Sequence, residues 1–245
     1  PTRSRHRWFR SMTSSQALAQ SVFGNLIVYN QLDLLEGIET DSGDPLIGAD
    51  PQTAQLEFEV GFLGEPRKTS LDVLVIGSKG YRVALECKLT ESEVGACSRP
   101  ALKPSEANYE RDHCNGTYTC QRGRRERCSL TNVGVTYWRH VPSLFHWASD
   151  CDHIPCPLRH TYQLVRNVLA VSIDEMGVLK PGGGHAVLIY DERNPAFVAQ
   201  GAGQEAYKYT REALRDKSLL RKCPWQRILR RLSKAGGLQW LAQEL

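Results

Sequence analysis

The 245-residue chain reads as an α/β protein, a mixed central β-sheet flanked by helices, with a cysteine-rich insertion after its third strand. Three observations predict this. LDVLVIGSKGYRVALECKL (71–89) holds two apolar strands around a tight turn, and the strictly alternating QLEFEVGFL (55–63) precedes it as a half-buried strand. HTYQLVRNVLAVSIDEM (160–176) has helical spacing and leads into a further apolar run, GGGHAVLIYDE (182–192). A strand–helix–strand unit following a meander gives a mixed sheet with helices packed on it.

The elements follow in order. MTSSQALAQSVFGNLI (12–27) is an amphipathic helix that Ser14 or Ser15 can cap, with Leu18, Val22 and Leu26 at four-residue spacing. GEPRKTS is the turn before the hairpin. From 90 to 130 periodicity is lost and Cys, Arg, Pro and Gly collect, which reads as an irregular insertion or a helix with loops. Residues 131–148 are helical and interrupted by Pro142. Leu164, Val168 and Val171 share one face of the 160–176 helix, and helices over 203–245 close the chain.

Composition excludes some classes. No apolar run approaches the ~18–20 residues of a membrane span, and PTRSRHRWFR is not a signal peptide. With no initiator Met, the chain is taken as trimmed or cut from a longer product, and as cytoplasmic. Net charge is only +4, but RSRHRWFR (3–10), QRGRRER (121–127) and RKCPWQRILRRLSK (221–234) are local basic blocks. They suit a polyanionic partner, or stand as solvated helix faces.

Charge inside the hairpin carries the chemistry. A three-residue Ser78–Lys79–Gly80 loop, with Gly80 left-handed, pairs Gly77 with Tyr81 and sets Asp72 across from Glu86. Cross-strand neighbours have Cβ atoms about 4.5–5.5 Å apart. Lys88, two residues on, points to the same face. A two-residue loop would shift the register and send Asp72 to the other face. Two apposed carboxylates repel unless a cation lies between them, and oxygen ligation with open positions suits Mg²⁺ or Mn²⁺. A structural Asp–Lys ion pair with Glu86 exposed is the alternative.

An Asp opening one strand and ExK ending the next, Asp72 with Glu86-Cys87-Lys88, resembles the PD-(D/E)xK nuclease superfamily. Its restriction-endonuclease-like core, helix, three-stranded meander, helix and strand, matches the order read above. Leu71 stands where that pattern usually has Pro. SSQALAQSVFGNL and YQLVRN (162–167) also resemble a bacterial family of restriction-endonuclease-like proteins, so the likeness spans roughly 12–192. The resemblance implies a single nuclease-like domain over 1–245. It makes Asp72 and Glu86 the metal ligands and Lys88 the catalytic lysine. Gln163 resembles a polar residue that exonuclease-type members carry on the following helix. The first helix offers only Gln16 and Gln20 where many members have an acidic ligand, so Glu57 or Glu59 would approach from the preceding strand.

Of eight cysteines, Cys97, Cys114, Cys120 and Cys128 fall within 32 loop-like residues, and CDHIPC adds Cys151 and Cys156. None forms a CxxC. At least three of these six are expected to converge on structural Zn²⁺ or, as in some members of the superfamily, an iron–sulfur cluster; free thiols are the alternative. Cys87 and Cys223 read as apolar core. Arg122, Arg124 and Arg125, with Arg127, would then form a basic flap against the nucleic-acid backbone.

The leading functional reading is a metal-dependent deoxyribonuclease of restriction or genome defence. Its expected partners are DNA, a second copy in a homodimer, and a defence-system protein, with no membrane. The second reading is a cysteine-rich metal-binding nucleic-acid adaptor that keeps the fold without relying on catalysis.

Overall fold

A computed structural model describes residues 14–48, 50–66, 68–121, 123 and 125–234. Its elements are α1 (Ser15–Val28), β1 (Pro51–Val60), β2 (Thr69–Gly77), β3 (Arg82–Cys87), α2 (Tyr109–Asp112), α3 (Ser129–Asn132), α4 (Tyr137–Leu144), α5 (Tyr162–Ser172), β4 (Gly184–Tyr190), α6 (Ala202–Ala213), β5 (Leu220–Pro224) and α7 (Trp225–Lys234). The five strands lie in chain order in one mixed sheet. β1, β2 and β3 pair antiparallel, and β3–β4 and β4–β5 pair parallel. This is the predicted α/β architecture.

Strand parity sorts the core into two layers. Val73, Val75, Val83, Leu85, Cys87, Val187 and Ile189 face α1 and α7, where Leu18, Val22, Phe23, Leu26, Trp225 and Ile228 are buried. Leu74, Ala84, Ala186 and Leu188 face the other way, onto Leu164, Val165 and Val168 of α5 and Val141 of α4. α1 starts where Ser14 accepts the Ala17 N–H, satisfying one of the orphan donors of its first turn. Pro142 lies inside α4 near its C-terminal end, and the helix stops two residues later at Leu144.

The sequence reading missed β5. LRKCP was assigned to closing helices, because Arg221 and Lys222 spoil an apolar strand pattern. Both are nevertheless buried, with their polar atoms satisfied. Arg221 donates to the Pro45 and Ser218 carbonyls. Lys222 donates to Phe197 O and Gln204 Oε1, and its ammonium sits 4.3 Å from the centre of the Tyr190 ring. The 221–234 block is therefore no free basic surface at its start. Farther along, Arg227 pairs with Asp41 at 3.3 Å. The 3–10 block and the end of the chain after 234 lie outside the described residues.

The hairpin follows the three-residue loop. Gly80 is left-handed at φ +74°, Lys79 joins it at φ 58°, and Gly77 N–H donates to Tyr81 O at 2.8 Å. Ile76 pairs with Arg82, Val75 with Val83, Leu74 with Ala84 and Val73 with Leu85. The next step of this register brings Asp72 to Glu86.

Candidate active site

At this step the ladder changes partners. Cys87 N–H, which would next bond the Leu71 carbonyl, donates instead to Asp72 Oδ2 at 2.7 Å. The Asp72 side chain is thereby fixed at the mouth of the hairpin, beside Glu86. β3 is clamped on its other side by β4, where Lys88 N–H donates to Ile189 O at 2.8 Å. Trp225 Nε1 donates to Lys88 O at 3.2 Å. Lys88 lies just past the end of β3, yet its backbone is held from two directions.

Glu86 and Lys88 are buried at 3% and 7% exposure, which requires partners. Lys88 Nζ lies 2.8 Å from Glu86 Oε1 and donates to Gln163 Oε1 at 2.9 Å. Glu86 Oε2 accepts from Asn167 Nδ2 at 2.8 Å, with the Arg166 guanidinium 3.6 Å away. Arg166 is itself held by Asn167 Oδ1 and the Ser70 carbonyl. Gln163 and Asn167 are four residues apart on α5, hence on one face of it. That face lies over the end of β3.

The alternative of an Asp–Lys pair with an exposed Glu86 is not what forms: Glu86 is buried and takes the lysine. Its burial favours the neutral acid, but the Lys88 and Arg166 charges outweigh that and hold its carboxyl below the ordinary range. Burial likewise opposes the Lys88 charge, yet Glu86 more than offsets it and the ammonium is held above its usual pKa. Asp72 has no such cation to itself. Burial, then the Glu86 charge, push it up to about 8, against the opposing pull of Cys87 N–H and Lys88. The unlike surroundings of the two carboxylates thus push their proton affinities in opposite directions, Glu86 down and Asp72 up.

Of the two acidic residues expected from β1, Glu57 approaches and Glu59 does not. Glu57 lies between Leu56 and Phe58, which pair with Val73 and Leu71 either side of Asp72, and it contributes to the raised pKa of Asp72. Its carboxylate accepts from Gln16 of α1 at 2.8 Å and from Ser70 at 3.0 Å. Glu59 is exposed and pairs with Lys68. Three neighbours of the site escaped the sequence reading: Arg166, Asn167 and Glu91. Glu91 accepts from Leu89 N–H at 2.6 Å and from the Ser15 hydroxyl, tying the segment after β3 to α1. The spacing of YQLVRN held a signal for Asn167. Glu91 had none.

The cysteines divide into two groups. Cys97, Cys114, Cys128 and Cys156 are buried or half-buried, and Cys120 and Cys151 are exposed. None of them is in a disulfide, and burial pushes Cys97 and Cys156 up to about 12. Among the described residues no group of three or more His, Cys, Asp or Glu side chains is placed to hold a single metal ion. Cys87 and Cys223 are buried, at 1% and 0% exposure. Arg125 is exposed, Arg127 pairs with Asp152, and Arg122 and Arg124 lie outside the described residues.

A family model described as restriction endonuclease associating with ARP matches residues 2–245. No curated protein and no solved structure matches the chain. Among the described residues, no helix is long and apolar enough to cross a membrane.

Proposed function

The chain belongs to this restriction-endonuclease family, and on that premise we propose that it is a Mg²⁺-dependent deoxyribonuclease of the PD-(D/E)xK type. The observation that carries the proposal is the convergence of Asp72, Glu86 and Lys88 at the open end of one hairpin. Asp72 and Glu86 would hold the cation, since hard divalent ions take carboxylate oxygens and the pair otherwise repels. When bound, Mg²⁺ supplies Lewis-acid polarisation of the phosphodiester and a more acidic water. Glu86 is ready to ligate, and Asp72 must first give up its proton. Lys88, kept charged by Glu86, acts as a fixed positive donor for charge developing on the scissile phosphate rather than as a base. Gln163 and Asn167 hold Lys88 and Glu86 in register with each other. Glu57 supplies further negative charge beside Asp72.

The family description also names an association with ARP, and we take a protein partner as part of this reading. DNA is the substrate, its backbone drawn by electrostatics. Plasmid or linear DNA incubated with Mg²⁺ tests the assignment. Cleavage by the native chain that disappears in Asp72→Ala and Lys88→Ala, both still folded, supports it. Equal cleavage by the variants refutes it.

A further inference from the structure

Lys88 is the first residue past β3, and from there to Ser98 the chain forms neither strand nor helix. No ladder satisfies the backbone of this stretch, so other groups must place it. The stretch meets the Lys88 ammonium from both ends. Lys88 itself stands at one end. Near the other, Gly95 takes φ +112° and packs so closely on Gln163 that an added Cβ would collide with Gln163 Oε1, the acceptor of that ammonium. Gln163 N–H also donates to the Gly95 carbonyl at 3.4 Å. Just before Gly95, Val94 is fully buried in the core layer of Leu164 and Val165 of α5. Where the ammonium meets Gln163 therefore depends on the path from Leu89 to Gly95.

A side chain outside the site holds that path. The Asn194 side-chain amide donates to the Leu89 carbonyl and to the Glu91 carbonyl, both at 2.9 Å. An amide nitrogen carries two hydrogens, and here both are used. The amide is also locked in orientation. Asn194 Oδ1 accepts from Ala196 N–H at 2.9 Å, capping the short turn Pro195–Phe197, so the nitrogen can only face the loop. Asn194 N–H donates to the Asp191 carbonyl at 3.0 Å, and Phe197, fully buried, pins the far end of the turn to the core. Asn194 follows β4 as Leu89 follows β3, and these strands are parallel neighbours. Its side chain thus joins the chain leaving one strand to the chain leaving the next, on the edge of the sheet that carries the site.

We propose that Asn194 is a positioning residue for Lys88, an inference that rests, for its effect on cleavage, on the nuclease reading above. Among the described residues its side chain bonds only to backbone groups. It acts on the ammonium through the chain from Leu89 to Gly95, and so through the contact of Lys88 with Gln163. Asn194→Asp keeps the shape and the acceptor for Ala196 N–H, but turns a carboxylate oxygen toward two carbonyls. Asn194→Ser keeps a capping oxygen and a single donor. The first variant should push the loop away, and the second should hold it in part.

The test has two readouts on the full chain. A misplacement of about 1 Å at a reacting group can cost ~100-fold in rate. In Asn194→Asp, still folded by thermal melt, kcat for Mg²⁺-dependent DNA cleavage should fall roughly 10–100-fold, with KM within about threefold of native. Asn194→Ser should lie between this variant and the native chain. The second readout needs no cleavage. In a proton–nitrogen correlation spectrum of the isotope-labelled chain, the buried Lys88 ammonium should give a slowly exchanging signal, identified by its loss in Lys88→Arg. That signal should broaden or vanish in Asn194→Asp. Should Asn194→Asp fail to fold, Asn194→Ser takes its place in both measurements, with smaller changes in the same direction. Native kcat in the folded variant, a change in KM alone, an ammonium signal unchanged by the substitution, or none in the native chain overturns the proposal. Failure of the native chain to cleave DNA would refute the nuclease reading instead, and the ammonium signal would then decide the positioning.

Discussion

Asn167 donates its side-chain amide to Glu86 Oε2 at 2.8 Å, tying α5 to the end of β3 across 81 positions of sequence. Both groups are buried, so the bond cannot be replaced by water without opening the site. Asn167→Leu removes the donor and leaves a buried charged oxygen one hydrogen bond short. We expect a stability loss of about 1–3 kcal/mol in denaturant melts. Cleavage should fall roughly 10–100-fold, the scale for groups that orient metal ligands. Full activity with unchanged stability would remove Asn167 from the site.

Lys88→Met and Lys88→Arg should separate charge from fit. The methionine leaves Glu86 without its nearest cation, at a cost of about 3–5 kcal/mol for breaking a buried pair, with cleavage reduced at least ~100-fold. Arginine keeps the charge, but its planar fork does not suit a site built for a point donor between Glu86 and Gln163. It should retain folding and recover little activity. Steady-state cleavage and thermal melts on both variants check this.

Asp72 makes the metal-free protein pH-sensitive. Its folded pKa stands near 8 against an ordinary value of 3.8, so between these limits the folded state holds a proton that the unfolded chain lacks. Stability from this group is therefore present below about pH 4 and declines as pH rises through 8. Mg²⁺ should reverse the slope, binding more tightly as pH rises and releasing close to one proton at pH 7. Calorimetric titration in two buffers of different ionisation enthalpy measures that proton. Asp72→Asn should abolish it.

The turn that sets the register makes a separate prediction. A Cβ at Gly80 meets nothing within 4 Å, so Gly80→Ala carries only the backbone cost of a left-handed residue, about 1–2 kcal/mol. Melting temperature should drop while cleavage at a permissive temperature stays unchanged. Removing Lys79 shortens the loop, turns Asp72 away from Glu86 and should abolish cleavage.

Much of this site could be read from sequence because short-range rules govern it. The SKG loop sets the register, and the register sets Asp72 against Glu86. Gln163 was singled out only through the resemblance, and the structure places it against Lys88. Arg166 was not legible, and the YQLVRN spacing that held a signal for Asn167 went unused, because polar residues on a helix read as its wet face until the sheet beneath them is known. β5 was hidden by Arg221 and Lys222, whose burial depends on carbonyls and an aromatic ring supplied by distant segments. The cysteines show the same limit. Their spacing marks a group of six, but loop paths without periodicity decide that Cys97, Cys114, Cys128 and Cys156 are covered and Cys120 and Cys151 exposed.

The most direct test of the account is where a divalent cation binds. Crystals of the protein soaked in Mn²⁺ should show an anomalous peak within ligand distance of both Asp72 and Glu86, lost in Glu86→Gln. A peak bound elsewhere, or none between those carboxylates at saturating Mn²⁺, would contradict it.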